Sequence, residues 1–379
     1  MERLTVVQML PALESGGVER GTLEVGKHLV DHGHRSIVIS AGGRMVEQLR
    51  REGSEHLAWD VGRKSPMTLL RYVGRLRRFL ADERVDILHL RSRMPAWVGY
   101  LAWRGMSDRF RPHLVTTVHG PYSVNRYGSV MARGERVIAI SNMIVDYLHR
   151  HYPDVPDERI RLIYRGVDPA RFPHGYQPGP DWLESWGREY PGLAGKCLIT
   201  LPARITRWKG QEDFLRLVAR VRERVPDIHG LLVGETKGGK SRFLEELKSL
   251  AVRLGIDDAV SFLGHRSDLR EIMAISRVVV SLSREPEAFG RVSLEALSLG
   301  VPVVGYAHGG VGEQLERIFP LGSVPMGAWE EAVERVCICI EQSQTVPTEQ
   351  PFTLSRMLDA TLSVYMELAR PGASGHVSS

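Results

Sequence analysis

Short apolar runs alternate with stretches of helical periodicity along almost the whole chain, and that alternation leaves few folds open. Strand-like runs fall at residues 4–10, 36–39, 87–90, 114–118, 137–140 and 161–164, then at 197–201, 230–233, 260–263, 278–282 and 301–304. Most are continuously apolar rather than alternating, the pattern of strands buried on both faces. Repeated strand–helix alternation of this kind predicts an α/β chain of parallel sheets covered by helices on both sides. A length of 379 residues exceeds one typical core and predicts two domains. The alternation breaks between Asp168 and Lys196, where Pro, Gly and Trp cluster. We place the linker there, with a first domain over residues 1–168 and a second over 169–352. Residues 353–369 read as a last helix, and 371–379 as a small, polar tail of disordered composition.

Composition narrows the class. Hydrophobic residues make up 43% and charged residues 25%, the balance of a soluble globular protein. Cys197, Cys337 and Cys339 form neither a disulfide framework nor a zinc spacing, which suits a reducing cytosol. The N-terminus runs into a strand-like segment without a charged leader, and no apolar run approaches the roughly 20 residues of a membrane span. These features predict a cytoplasmic protein that is neither exported nor integral. The net charge of +5 is unevenly spread: residues 42–111 hold 15 Lys and Arg against 8 Asp and Glu. Within them, 65–81 reads as a helix whose buried side takes Leu69, Leu70, Val73, Leu76 and Phe79. Arg71, Arg75 and Arg78 recur at i, i+4 and i+7 and share another side. Such a face is either a solvated surface or a seat for an anionic membrane or a phosphate-bearing acceptor. Aromatic residues are not interleaved with these cations, so nucleic acid is not expected as a partner.

The most specific segment is Glu287-Ala-Phe-Gly-Arg-Val-Ser-Leu-Glu295. It follows the strand-like run 278–282, so Glu287 sits on a loop and a helix begins at about Gly290. Glu295 then lies inside that helix, about two turns from Glu287. Free N–H groups near Phe289 and Gly290 would attract an anion, phosphate above all. A carboxylate beside a phosphate site makes chemical sense if it touches a neutral, hydroxyl-rich group such as a sugar. Upstream, Arg204 and Lys209 stand five apart on a loop between a strand and a helix, placed to converge on a diphosphate. Cations there would stabilise charge that builds on a leaving diphosphate.

Taken in order, these motifs resemble the retaining nucleotide-sugar glycosyltransferases of the GT-B fold that carry Glu-x7-Glu, the glycosyltransferase family 4 type. The resemblance runs from Gly16 to Glu313 and includes a look of bacterial lipopolysaccharide core enzymes. It implies two Rossmann-like parallel-sheet domains facing across a cleft, with the helix over 353–370 crossing back onto the first. The second domain would hold a nucleotide-diphosphate sugar, most simply a UDP-sugar, and the first would receive a glycan or lipid-linked glycan acceptor at the inner face of the cytoplasmic membrane. It also implies roles residue by residue. Arg204 and Lys209 hold the diphosphate. Glu287 takes sugar hydroxyls with the Phe289 and Gly290 backbone, and Glu295 takes the ribose. Arg266 lies where the nucleobase is held. Gly16 and Gly17, in Glu14-Ser-Gly-Gly-Val-Glu-Arg20, face the phosphates or the transferred sugar, and His119, of His119-Gly120, reaches that sugar. Ser141 reads as a helix N-cap. The chain departs from the family at Tyr164-Arg-Gly-Val-Asp168, where Arg165 replaces the usual Asn. Gly309, Gly310 and Glu313 read as support for the site. No Asp-x-Asp pair occurs, so protein cations rather than a metal are expected to neutralise the diphosphate, and no cofactor is expected.

Two other readings compete. Gly234-Glu-Thr-Lys-Gly-Gly-Lys-Ser241 fits the phosphate-loop pattern of nucleoside triphosphatases and sits between a strand and a helix. Against it, the strand before it is not the first of its domain, and no later strand ends in an Asp suited to magnesium. Some nucleotide-sugar 2-epimerases share the GT-B fold, but they would need further acid/base groups around the sugar.

Overall fold

The computed structural model describes residues 3–236 and 242–370. They divide into two compact units: one takes the described residues up to Tyr164 together with those from Ser355 onward, the other spans Arg165–Leu354. The first holds strands β1 (Thr5–Met9), β2 (Arg35–Ser40), β3 (Glu55–Ala58), β4 (Ile87–Leu90), β5 (His113–Val118), β6 (Arg136–Ala139) and β7 (Ile160–Leu162). They form one sheet in the order β3-β2-β1-β4-β5-β6-β7, parallel throughout. The second holds β8 (Cys197–Pro202), β9 (Ile228–Val233), β10 (Val260–Gly264), β11 (Val278–Ser281), β12 (Val303–Tyr306) and β13 (Ser323–Val324). Their order is β10-β9-β8-β11-β12-β13, again all parallel. The chain is therefore α/β with two Rossmann-like parallel sheets. In each, the strand order reverses beside the first strand of the sheet, at β1/β4 and at β8/β11. A crevice opens beyond the carboxyl ends of the strands at such a reversal.

The apolar runs form the sheet interiors because helices cover both faces: Val6, Val7, Ile37, Leu88, Ile199, Leu231 and Val303 are buried. Sequence reading overlooked β3 and β13. Glu55 and Ala58, at the ends of β3, face solvent, so no apolar run marks it, and β13 has two residues.

Two expectations need correction. The segment 169–196 is not a bare linker. It contains the helix Pro180–Glu189, whose Pro180 occupies the first helical position, where a missing N–H costs nothing. Trp182 and Trp186 stack at 5.2 Å, Trp186 meets Tyr190 at 4.5 Å, and Trp186 packs with Leu193, Leu198, Leu231, Val233 and Ile272 in the core of the second unit. The basic helix, Pro66–Asp82, buries Thr68, Tyr72, Leu76 and Leu80, four residues apart, with Tyr72 stacked on Trp59. Leu70, expected on the buried side, is 76% exposed.

The last helix, Leu354–Ala369, packs on the first sheet. The hydroxyl of its buried Tyr365 lies 2.6 Å from His89 Nδ1 on β4, and Glu367 receives bonds from Arg136 and Arg161. These bonds, chiefly that from Arg136, hold the Glu367 carboxyl below its usual range. At the crossing between units, Val167 bridges Thr353 in parallel, and a side chain on Gly166 would strike the Thr353 carbonyl at 2.2 Å. Asp168 closes the turn by accepting from Ala170 N at 2.9 Å. Ser141 caps its helix, as expected, accepting from Ile144 N. Among the described residues no helix is long and apolar enough to cross a membrane.

The tryptophan cluster can be tested by truncation. Trp186→Ala should lower unfolding free energy by about 3–5 kcal/mol, the usual result of removing a buried aromatic ring. Denaturant titration measures this, and wild-type stability would show that residues 180–190 are not core.

Candidate functional site

The site of the second unit is built by three loops that leave the carboxyl ends of β8, β11 and β12. The β8 loop carries Arg204, a single turn at Arg207–Lys209, and then the helix Gln211–Arg222. Gly210 begins that helix with φ +74°, and a Cβ there would lie 1.9 Å from the Leu282 carbonyl just past β11. Glycine thus does two things: it supplies the left-handed backbone and it lets two loops touch. Buried Gln211 donates to the Arg204 carbonyl at 2.9 Å and fixes the loop from beneath. Lys209 is left with Nζ 4.2 Å from the centre of the Trp208 ring and 2.8 Å from Glu287 Oε1.

Glu287 belongs to the β11 loop, and its carboxylate is shared. Ser283 Oγ donates to the same Oε1 at 2.5 Å, so the second oxygen, Oε2, is left for a ligand. The loop is tied down on several sides. His308 Nε2 donates to the Ser283 carbonyl at 2.6 Å, and Arg284 N donates to the Trp208 carbonyl at 2.7 Å. The Arg284 guanidinium grips Asp213 with two bonds, at 2.6 and 3.0 Å, and Tyr306 donates to the same carboxylate at 2.9 Å. Burial and the Asp213 charge push the Tyr306 hydroxyl pKa upward. After β12, Gly309 and Gly310 press on the loop from the other side: a Cβ on either would meet Glu287 O at 2.5 Å or Phe289 Cα at 2.3 Å. Gly310 N donates to Glu287 O, and Gln314 donates to the Phe289 carbonyl.

The helix Arg291–Ser298 starts at Gly290 (φ +81°) with no side chain capping it. Its first turn, residues 291–293, lines a small cavity together with Ala203, Lys209, Ser283 and Glu287. The cavity lies at the β8/β11 reversal, where this topology places ligands. It joins a helix N-terminus, one ammonium and one oriented carboxylate, a combination that suits an anion bonded to a polyol.

The structure therefore brings Lys209, Glu287 and the Gly290 helix start together. Phe289 serves this arrangement through its backbone, because its ring is buried edge-on against Phe352. Arg204 is exposed, does not line this cavity and makes no side-chain ion pair among the described residues. Glu295 is buried in the helix, 3.9 Å from Arg291 Nε. Arg266 is not gathered with them as a free cation. Asp268 takes it with two bonds, at 2.9 and 2.8 Å, and Glu189 takes a third at 2.6 Å. Those bonds, with Asp268 first, raise its pKa further.

Gly16, Gly17 and His119 belong to the first unit. Gly16 starts the helix Gly17–Asp31 after β1, and a side chain on it would strike the Glu19 carboxylate at 2.2 Å. His119 follows β5, with its N–H donating to the Tyr122 hydroxyl. Of the phosphate-loop motif, Gly234 turns back against the Ala203 carbonyl, while Lys237 to Ser241, including Lys240, lie outside the described residues.

Sequence reading missed Ser283, Arg284, Asp213, His308 and Gln314 as parts of the site. Ser283 had a readable signal, since it directly follows a strand and stands four residues before Glu287. Asp213 and Arg284 are 71 residues apart, and only the fold pairs them.

Residues 15–171 match the family model described as Glycosyltransferase Family 4, and residues 191–342 match Glycosyl transferases group 1. The chain is 26% identical over 322 residues to N-acetyl-alpha-D-glucosaminyl L-malate synthase of Bacillus anthracis, covering 81% of this chain and 79% of that one. It is 28% identical over 313 residues to D-inositol 3-phosphate glycosyltransferase of Saccharomonospora viridis, covering 74% and 70%. A glycosyltransferase from Rickettsia africae superposes with TM-score 0.80 at 29% identity, over 98% of this chain and 100% of that one. Two structures share the fold at lower identity. HepE of Anabaena, solved with UDP and glucose, gives TM-score 0.75 at 23% identity, over 96% and 95%. WaaG, a glycosyltransferase involved in lipopolysaccharide biosynthesis, gives 0.64 at 16%, over 97% and 96%. With one of these two family models matched in each half and two Rossmann-like parallel sheets, the chain belongs to the glycosyltransferases of the GT-B fold.

Proposed function

We propose that the enzyme moves a sugar from a UDP-sugar to a glycan acceptor with retention of configuration, in assembly of lipopolysaccharide core or another envelope polysaccharide. The observation that carries this reading is the 2.8 Å approach of Lys209 to Glu287 beside an uncapped helix start. In this proposal the first turn of the helix Arg291–Ser298 and Lys209 take the diphosphate, with the exposed Arg204 joining them. As the glycosyl–phosphate bond breaks, negative charge grows on the leaving oxygen, and cations already in place stabilise it more than the ground state. Glu287, held through Oε1 by Ser283 and Lys209, offers Oε2 to sugar hydroxyls. The acceptor's proton passes to the leaving phosphate oxygen on the same face, so no carboxylate attacks the sugar.

Glu295 takes the ribose, and His119 with Gly16 and Gly17 takes the sugar from the first unit. Arg266, committed to Asp268 and Glu189, shapes the base-side loop rather than donating to the donor. Protein cations perform the neutralisation, so no metal is assigned, and the first unit meets the acceptor at the inner face of the cytoplasmic membrane. UDP-glucose is the first donor to try, because HepE was solved with UDP and glucose. The lipopolysaccharide assignment takes its support from WaaG, which shares the fold and is involved in lipopolysaccharide biosynthesis. A second reading has support from the relatives, whose names specify L-malate and inositol 3-phosphate: the acceptor is a small anion. An acceptor panel that includes both classes separates the two readings.

Three outcomes are expected. Lys209→Ala and Glu287→Ala should each raise the barrier by about 3–4 kcal/mol, a loss of two to three orders of magnitude in kcat/KM, with unchanged circular dichroism. Near-normal turnover in either purified variant contradicts the assignment. Ser283→Ala should lose about ten-fold, since it removes one hydrogen bond to a charged group. Turnover after exhaustive chelation should equal that of the untreated enzyme, and a loss restored by a divalent cation would reject the protein-cation mechanism.

A further inference from the structure

The helix Pro66–Asp82 carries a solvent face that the donor chemistry does not use. Residues 61–81 contain six Arg and Lys (Arg63, Lys64, Arg71, Arg75, Arg77 and Arg78) and no Asp or Glu. All six are exposed, and none makes an ion pair among the described residues. Three lie over aromatic rings instead: Arg75 4.2 Å from Trp59, Arg71 5.4 Å from Tyr72, and Lys64 5.5 Å from Tyr127. Other cations of the first unit do find acids, as Arg35 does with Glu55 and Glu83 and Arg136 with Glu367.

Met67 and Leu70 share this face. Positions 67, 70, 71, 74, 75 and 78 follow the three-and-four spacing of one helical side. Met67 is 67% exposed, and Leu70, at 76%, is the most exposed large hydrophobic side chain among the described residues. The Lys64–Tyr127 contact brings the loop of residues 121–128 alongside, which adds exposed Val124 and Arg126. Aliphatic side chains standing in water within a ring of unpaired cations are the pattern of a helix that lies in a membrane interface.

We infer that this face docks on an anionic lipid bilayer. Met67 and Leu70 enter the boundary between headgroups and acyl chains, and Arg71, Arg75, Arg78 and Lys64 meet lipid phosphates. A nucleic acid or other soluble polyanion would engage the cations and leave the two aliphatic groups in water, so it explains half the surface. The inference deepens the membrane-side part of the function proposed above, and its test measures binding rather than turnover. A failure of donor chemistry would leave it standing, and its own failure would leave the donor site untouched.

The test is co-sedimentation with vesicles of phosphatidylglycerol and phosphatidylcholine, against vesicles of phosphatidylcholine alone. The wild-type protein should bind the anionic vesicles, bind neutral ones far less, and release with added salt. Met67→Ser with Leu70→Ser, which keeps every charge, should weaken binding about ten-fold or more. Arg71→Gln, Arg75→Gln and Arg78→Gln together should abolish the preference for anionic lipid. Circular dichroism and melting temperature should match wild type in both variants and show that they are folded. Absence of wild-type binding to anionic vesicles overturns the inference. So does wild-type binding by the serine variant, which would make the face a polyanion surface.

Discussion

One carboxylate oxygen organises the second unit's site. Glu287 Oε1 receives both Lys209 and Ser283, and each comes from a different constraint. Lys209 arrives because Gly210 lets the β8 loop lie against the end of β11. Ser283 arrives because it directly precedes the same loop that carries Glu287. With one oxygen occupied twice, the other is presented in a defined direction, and the ammonium stays beside it rather than roaming on its flexible stem. The arrangement trades side-chain entropy for orientation, and orientation is what a transfer reaction at an anomeric centre requires.

Around that contact the unit spends its buried polarity on holding loops. Asp213 would be a costly buried charge if it stood alone, yet it is met by Arg284, Tyr306 and Arg216. Each partner comes from a different place: the β11 loop, the end of β12 and the next turn of the same helix. His308 and Gln314 do similar work on backbone carbonyls. The glycines at 210, 290, 309 and 310 permit these close approaches, since a Cβ at any of them meets its neighbour at 2.5 Å or less. The site is thus rigid by construction, as preorganised electrostatics demands.

Much of this was legible in the chain. Strand–helix alternation predicted parallel sheets, because strands covered on both faces must be apolar throughout. The eight-residue separation of Glu287 and Glu295 placed one acid on a loop and the other in a helix, and the strand before them put both near a sheet's carboxyl end. What failed to show has physical reasons. β3 and β13 lie at sheet edges, where burial asks little of the sequence. The helix Pro180–Glu189 was hidden by Gly179 and Pro180, which read as loop residues but begin a helix equally well. Leu70 looked buried because periodicity counts apolar residues and cannot tell a core side from a solvent-exposed one. Arg266 looked available although Asp268, two residues on, takes it with two bonds; only its third partner, Glu189, lies 77 residues away in sequence.

The proposed transfer rests on a division of labour inside one site, with Lys209 assigned to the diphosphate and Glu287 to the sugar. Calorimetric titration of UDP and of UDP-glucose into the Lys209→Ala and Glu287→Ala proteins tests this most directly. Loss of Lys209 should weaken both ligands alike, whereas loss of Glu287 should weaken UDP-glucose and leave UDP close to wild type. Wild-type UDP affinity in the lysine variant would contradict the account.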